Sequence, residues 1–177
     1  MATEINQHSP GVSVYNNQYY IYDGDIDLDG EDLILDGNFI IDGSLNAENI
    51  STTGALIVRK SLEAGEVQVS GSLEVDLDAE VEGSLYAEGD VRIGGSAGGD
   101  NFAFEGDLTV GKDLEVRDLW VKNNLTVGGN ANVNKMDVEG EVNISGETFV
   151  KSEEISIKKR TDDDEGSGTN PDSGIKR

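Results

Sequence analysis

Alternating aspartates near the N-terminus are the residues whose type and spacing come closest to a cation site. Residues 25–30 read Asp-Ile-Asp-Leu-Asp-Gly, and an aspartate follows at position 36, the twelfth of an EF-hand loop counted from residue 25. Ca²⁺ prefers converging oxygen ligands, which alternate aspartates before a glycine can supply. No flanking helix is expected, and an aspartate replaces the bidentate glutamate. We therefore favour an acidic strand face with weak cation affinity, and the candidate calcium ligands are Asp25, Asp27, Asp29 and Asp36.

Residue types that catalyse reactions are either scarce or too common to be informative. His8 is the only histidine and the chain contains no cysteine, so a histidine-based triad and a histidine- or thiolate-based metal site are excluded. Paired carboxylates could cleave glycosides, but 36 acidic residues make any such pair uninformative. Glycosidase grooves also need exposed rings, and beyond Tyr86 and Trp120 the repeat offers few. We predict no catalytic residue, no cofactor and no enzyme activity.

The acidity of the chain restricts its partners. With a formal net charge of -23 over 177 residues, it lacks the basic stripe that a nucleic-acid-binding protein presents to phosphates. Two explanations of the acidity remain open. It can be an adaptation to a high-salt host, where screening lets an acidic chain stay compact, or it can serve the solubility and turns of a glycine-rich β-protein.

The sequence shows no pattern of a signal peptide or a membrane span. Residues 1–10 lack a basic stretch followed by an apolar run, and no segment approaches 18 consecutive apolar residues. We expect neither signal-directed export nor membrane insertion. An extracellular role would then require release by lysis or delivery as part of a particle.

A short motif repeats every five or six residues between positions 24 and 150. It consists of a glycine, a small or acidic residue, an apolar residue, any residue and a second apolar residue. The first apolar residues form a ladder: Leu33, Phe39, Leu45, Ile50, Leu56, Leu62, Val67, Leu73, Ala79, Leu85 and Val91, resuming with Leu108, Leu114, Leu119, Leu125 and Ala131.

The spacing within this motif predicts very short strands joined by corners. Apolar residues two apart lie on the same face of a strand, and glycine permits the bend that precedes them. One such unit cannot bury its own apolar face, so units must stack. We predict an all-β, elongated β-helix or β-solenoid of six-residue units, with about three units per coil. The alternative is an intertwined homotrimeric shaft in which three chains supply the faces.

Three regions follow from this repeat. Residues 1–23 form a predicted N-terminal attachment segment, residues 24–150 the β-repeat shaft with a glycine loop near 94–101, and residues 151–177 a final strand and an acidic polar tail of a composition typical of disorder. Four of the five tyrosines lie in the first region. Amphipathic rings favour interfaces, although a hairpin that caps the repeat would also explain these tyrosines. The interface candidates are Tyr15, Tyr19, Tyr20, Tyr22 and Trp120.

The repeat resembles two kinds of structural protein. Residues 106–110 (GDLTV), 123–130 (NNLTVGGN) and 140–144 (GEVNI) resemble the repeated strands of tail-fibre, spike and appendage proteins of tailed viruses. This resemblance implies a homotrimeric shaft, an N-terminal attachment segment and a receptor-facing or stabilising role. Residues 82–94 are also similar to bactofilins, cytoskeletal proteins with a short β-helix that polymerise end to end without nucleotide.

We favour the viral interpretation because the tyrosine-rich segment and the irregular glycine stretch suit a particle component. The expected partners are further copies of the chain, most simply in a trimer, other structural proteins of a large assembly and a host surface receptor. The expected location is the virion, and the alternative is a cytoplasmic filament.

Overall fold

The structure is a computed structural model, and it describes residues 2–6, 8–15, 18–151 and 155–157. The prediction of an all-β chain is confirmed, since every regular element in these residues is a β-strand. The strands are β1 Ala2–Ile5, β2 Val12–Tyr15, β3 Tyr19–Tyr22, β4 Ile26–Asp27, β5 Asp32–Leu35, β6 Phe39–Ile41, β7 Leu45–Thr52, β8 Leu56–Val58, β9 Leu62–Val69, β10 Leu73–Val75, β11 Ala79–Ala87, β12 Val91–Ile93, β13 Ala97–Phe104, β14 Leu108–Val110, β15 Leu114–Val121, β16 Leu125–Val127, β17 Ala131–Val138, β18 Val142–Ile144, β19 Thr148–Val150 and β20 Ile155–Ile157.

Within the described residues the strands form two sheets that wind around one core. The order of the first sheet is β1-β5-β7-β9-β11-β13-β15-β17-β19, with β4 beside β7 and β20 beside β17. The order of the second sheet is β18-β16-β14-β12-β10-β8-β6-β3-β2. From β5 to β19 the strands alternate between the two sheets. Residue 45 pairs in parallel with residue 62, which pairs with residue 79. The fold is therefore a parallel β-solenoid, as predicted.

Each coil has three straight segments that each bury two residues. In the coil that begins at residue 62, the buried residues are Leu62, Ala64, Val67, Val69, Leu73 and Val75. All the ladder residues identified in the sequence are buried in the same way. The strands differ from the prediction in one respect, since two of the three units join into one strand of eight or nine residues. The bend between these two units is shallow enough for strand pairing to continue through it.

The core is a narrow column closed by a single chain. Its largest fully buried side chains include Phe39, Phe102 and Phe104, and Leu33 is 0% exposed. The coils form by pairing within one chain. Strands of other chains are therefore not needed to complete the faces, and the association of three such rods remains a prediction.

Aspartate and asparagine side chains join successive coils at two of the corners. At each of these positions the Oδ1 atom accepts a hydrogen bond from a backbone N–H of the next coil, over 2.7–2.9 Å. These acceptors satisfy backbone donors at corners, where the chain turns between strands. The accepting residues are Asp25, Asn38, Asp78, Asp90, Asp107, Asp113, Asn124 and Asn130.

The predicted glycine loop near 94–101 is wrong. Residues 97–104 form strand β13, which pairs with β11 and β15, and Ala97 and Phe102 continue the buried ladder. Gly99 takes an inward position between Val81 and Val116. A Cβ on Gly99 would lie 2.7 Å from Cε1 of Phe102. The glycines suggest a loop, but the ring of Phe102 fills the volume that a side chain at Gly99 would occupy, so the strand continues through them.

The ends of the chain extend the two sheets. Strand β1 pairs with β5, and the antiparallel β2–β3 hairpin pairs with β6 through β3. The final strand expected after residue 150 is present as β20, which pairs with β17. The acidic polar tail, residues 158–177, lies outside the described residues.

Candidate functional site

Three of the four N-terminal aspartates, Asp25, Asp27 and Asp36, accept hydrogen bonds from separate donors. Asp25 Oδ1 accepts hydrogen bonds from the Ser44 N–H at 2.8 Å and from Lys60 Nζ at 3.1 Å, and these bonds lower the pKa of Asp25, the Ser44 bond contributing most. Asp27 accepts from the N–H of Asp29. Among the described residues, no three His, Cys, Asp or Glu side chains form a set that could hold a metal ion. The structure therefore does not bring the candidate calcium ligands together.

The N-terminal tyrosines differ in their surroundings. Tyr20 and Tyr22 pack against the core, and the Tyr20 ring lies 5.3 Å from that of Phe39. Tyr19 is half-buried, and Tyr15 pairs with it through the backbone, while the Tyr15 side chain lies outside the described residues. Tyr20 and Tyr22 thus cover the N-terminal end of the core. This is the arrangement expected if the tyrosines belong to a hairpin that caps the repeat. Whether these residues also form an interface remains a prediction.

A shallow groove, which we name the axial trough, runs along the second half of the long strands. Its floor is the backbone at buried residues such as Val67 and Phe102. It contains two cavities of about 400 and 300 Å³. Successive residues of each wall belong to successive coils. One wall consists of Asp32, Asn49, Glu66, Ser84, Asn101, Asp118 and Lys135, and the other of Ile34, Ser51, Gln68, Tyr86, Ala103, Trp120 and Asp137.

Trp120 lies in a wall of the trough, between the buried residues Leu119 and Val121. The side chain is half-buried and stands between Ala103 of the preceding coil and Asp137 of the following one. Asp137 Oδ1 is buried and has no hydrogen-bond partner in the described part of the chain. Reading the sequence with a period of 17 residues would have aligned these three positions, but the five- to six-residue motif did not.

Tyr86, in the same wall, belongs to a short polar chain that joins three coils. The Tyr86 hydroxyl donates a hydrogen bond to Glu105 Oε1 at 3.2 Å, and Glu105 Oε2 lies 3.1 Å from Lys122 Nζ. Lys122 lowers the pKa of Glu105. Partial desolvation raises the pKa of Tyr86, and the negative charge of Glu105 raises it further. These contacts hold the ring of Tyr86 toward the corner that follows the trough.

A second depression, of about 600 Å³, lies over the glycines of β13 on the first half of the long strands. Gly98 stands there between Glu80 and Glu115 of the neighbouring coils, so its missing side chain opens the depression. Asp100, on its rim, pairs with Arg117 at 3.0 Å. The depression is acidic, but its carboxylates do not converge on one point.

The described C-terminal end of the rod leaves strand edges without a neighbour. Among the described strands, β18 pairs with β16 and β19 with β17, and neither has a partner on its other side. Phe149 is 63% exposed, and Val142 and Ile144 are half-buried, whereas the equivalent Leu125 is fully buried. This end therefore presents apolar side chains beside unpaired backbone groups.

The chain matches no family model, no curated protein and no solved structure. The resemblances to viral appendage proteins and to bactofilins therefore rest on the repeated motifs alone. No helix in the described part of the chain is long and apolar enough to cross a membrane.

Proposed function

We propose that this chain is a structural component of a virion, a rod within a tail fibre, spike or capsid appendage that serves attachment or particle stability. The observation that carries this proposal is the unbroken stack of coils around a buried apolar column. Every residue of the repeat ladder from Leu33 to Ala131 takes part in that column. Because nearly all the apolar side chains of the repeat are buried between stacked coils, the chain forms a continuous rod, which is suited to holding other proteins at a fixed distance.

The dimensions of the stack suit such a spacer. The first sheet passes through nine strands from β1 to β19. With neighbouring strands about 4.8 Å apart, the rod is roughly 38 Å long. Backbone hydrogen bonds run along its length and the corner side chains add further bonds between coils, so the rod should resist bending. The acidic surface would keep neighbouring rods apart except at dedicated contacts.

The N-terminal end supports a role in attachment. The β2–β3 hairpin projects beyond the first parallel coil, and Val14 on it is 59% exposed. An exposed apolar residue at the end of a sheet, next to the half-buried Tyr19, suits docking onto another structural protein. We therefore assign attachment to residues 1–23.

The mass of the full chain in solution tests this proposal. Light scattering at an ionic strength that screens the surface charge should give one discrete species, with a trimer at three times 18.9 kDa. Val14→Asp changes an exposed position of the hairpin and should leave the rod folded but weaken binding to particles that lack this protein. Undiminished binding of this variant would contradict the attachment role.

A second candidate function is an end-to-end filament, and one observation favours it. Strand edges at both described ends lack a partner, and Phe149 and Ile144 expose apolar surface at one of them. Unpaired edges are templates for strand addition by another chain. Open-ended filaments of the purified chain, seen by electron microscopy, would support this function and contradict the discrete oligomer.

A further inference from the structure

The cavity of about 300 Å³ in the axial trough combines an aromatic ring with an unsatisfied carboxylate. Trp120 forms one wall, and the neighbouring coil contributes only the methyl group of Ala103 beside it. The opposite wall carries Asn101, Asp118 and the exposed Lys135. Because Ala103 is so small, space remains next to the indole for a planar group to stack on it.

Asp137, at the same place, has a carboxylate oxygen with no hydrogen-bond donor among the described residues. Its Oδ1 atom is buried without a hydrogen-bond partner in the described part of the chain, and the residue lines the cavity beside Trp120. Buried polar atoms are almost always hydrogen-bonded, so a site of this kind favours an added donor. Arg117 is already engaged at the opposite wall of the cavity, with Asn101 at 3.2 Å and Asp118 at 3.6 Å.

We propose that this part of the axial trough binds the guanidinium group of an arginine on an extended segment of a partner protein. A guanidinium stacks on an indole face and donates two hydrogen bonds to a carboxylate, which are the two features that Trp120 and Asp137 present. The net charge of -23 attracts a basic partner. The inference does not depend on which assembly contains the rod.

The trough favours an extended peptide over an isolated cation. It continues along the rod past Tyr86 to a second cavity of about 400 Å³, whose wall side chains include Asp32 and Glu66 but no lysine or arginine. A chain lying along the axis can therefore place further basic side chains against these carboxylates. A metal ion fits less well, because no three acidic or histidine side chains converge among the described residues.

The single tryptophan of the chain makes the test direct. Trp120 is the only tryptophan, so its fluorescence reports on this cavity alone. The probe is a capped five-residue peptide that alternates threonine and arginine. The control peptide carries citrulline in place of arginine, which keeps the shape but removes the charge. Both are titrated into the full chain, and calorimetry supplies an independent affinity.

We expect the arginine peptide to change the Trp120 fluorescence saturably and the citrulline peptide to bind at least about tenfold more weakly. Asp137→Asn should weaken arginine binding by about the same factor, and Ala103→Leu should fill the space beside the indole and abolish the fluorescence change. The matched control is Glu63→Gln, which removes one negative charge from an exposed position on another face.

Equal affinity of the two peptides, or unchanged binding to Asp137→Asn, would overturn the proposal. An effect of Glu63→Gln as large as that of Asp137→Asn would also overturn it, because binding would then follow net charge and not this site. Circular dichroism melts of each variant establish that the rod is folded before binding is measured. Trp120→Phe, followed by calorimetry, should retain weaker binding, since phenylalanine still offers a ring face.

Discussion

The ring of Phe102 fills the space that a side chain at Gly99 would occupy, with Cε1 of Phe102 2.7 Å from the position of a Cβ on Gly99. The two residues lie in one strand, β13, three positions apart, and both face the core. The carbonyl oxygen of Val81 closes the same space from the neighbouring coil. The core thus keeps its packing where the sequence lacks an apolar residue.

Gly99→Ala should destabilise the rod by about 2 kcal/mol, because the new methyl group would clash with backbone and with a ring that has no room to move. Denaturant unfolding followed by circular dichroism measures this change. Gly98→Ala is the matched control, since the three atoms nearest to its new methyl group all belong to the flexible carboxyl end of Glu80. Equal losses of stability in the two variants would contradict the explanation that Gly99→Ala acts through its contact with Phe102. Phe102→Leu should restore part of the stability of Gly99→Ala.

Asp107→Ala should lower the free energy of unfolding by about 1 kcal/mol, because the Asn124 N–H at 2.9 Å would lose its acceptor. Asp107→Asn should lower the free energy of unfolding much less, since asparagine keeps the accepting oxygen. Asn124 shows this, because its side-chain oxygen accepts a hydrogen bond from the Glu141 N–H at 2.9 Å. Thermal or denaturant unfolding of the two variants separates the hydrogen bond from the charge. Equal destabilisation by both substitutions would mean that charge, not the corner bond, is responsible.

Asp25 should titrate below its ordinary pKa of 3.8, because its ionised form accepts the hydrogen bonds from Ser44 and Lys60. A lowered pKa in the folded state stabilises the fold above the unfolded pKa, and this contribution is lost as the pH falls through the folded value. Carbon NMR of the carboxyl group during an acid titration measures the pKa. Lys60→Met should raise it only in part, since the Ser44 bond, the larger cause, remains. A pKa above 3.8 in the unsubstituted protein would contradict the structure.

The sequence predicts the stacked fold well because inward residues must be apolar at a fixed spacing. Leu62 and Val67, for example, both point into the core, and their spacing in the sequence predicts the coil. The sequence predicts β13 poorly for two reasons. Gly98 faces outward, where the core does not require an apolar residue. Gly99 faces inward, and the ring of Phe102, three residues further along the strand, fills the space of its missing side chain. A local pattern does not report that kind of compensation.

The candidate site was only partly predictable for a related reason. Outward residues are not constrained by the core, so the sequence identifies Trp120 only as one of two rings, with Tyr86, that are expected on the surface of the repeat. Its neighbours Ala103 and Asp137 lie 17 residues away on either side and become neighbours only once the length of the coil is known. The four aspartates beginning at Asp25 show the opposite case, since they look like a site in sequence yet do not form a metal-binding set among the described residues.

The location of the protein tests the central claim most directly. Gold-labelled antibodies against the folded rod can be applied both to purified virus particles and to thin sections of the cells that produce this chain. A structural virion component predicts labels at a fixed position on the particles. Labels on continuous filaments inside the cells, with none on the particles, would contradict the account.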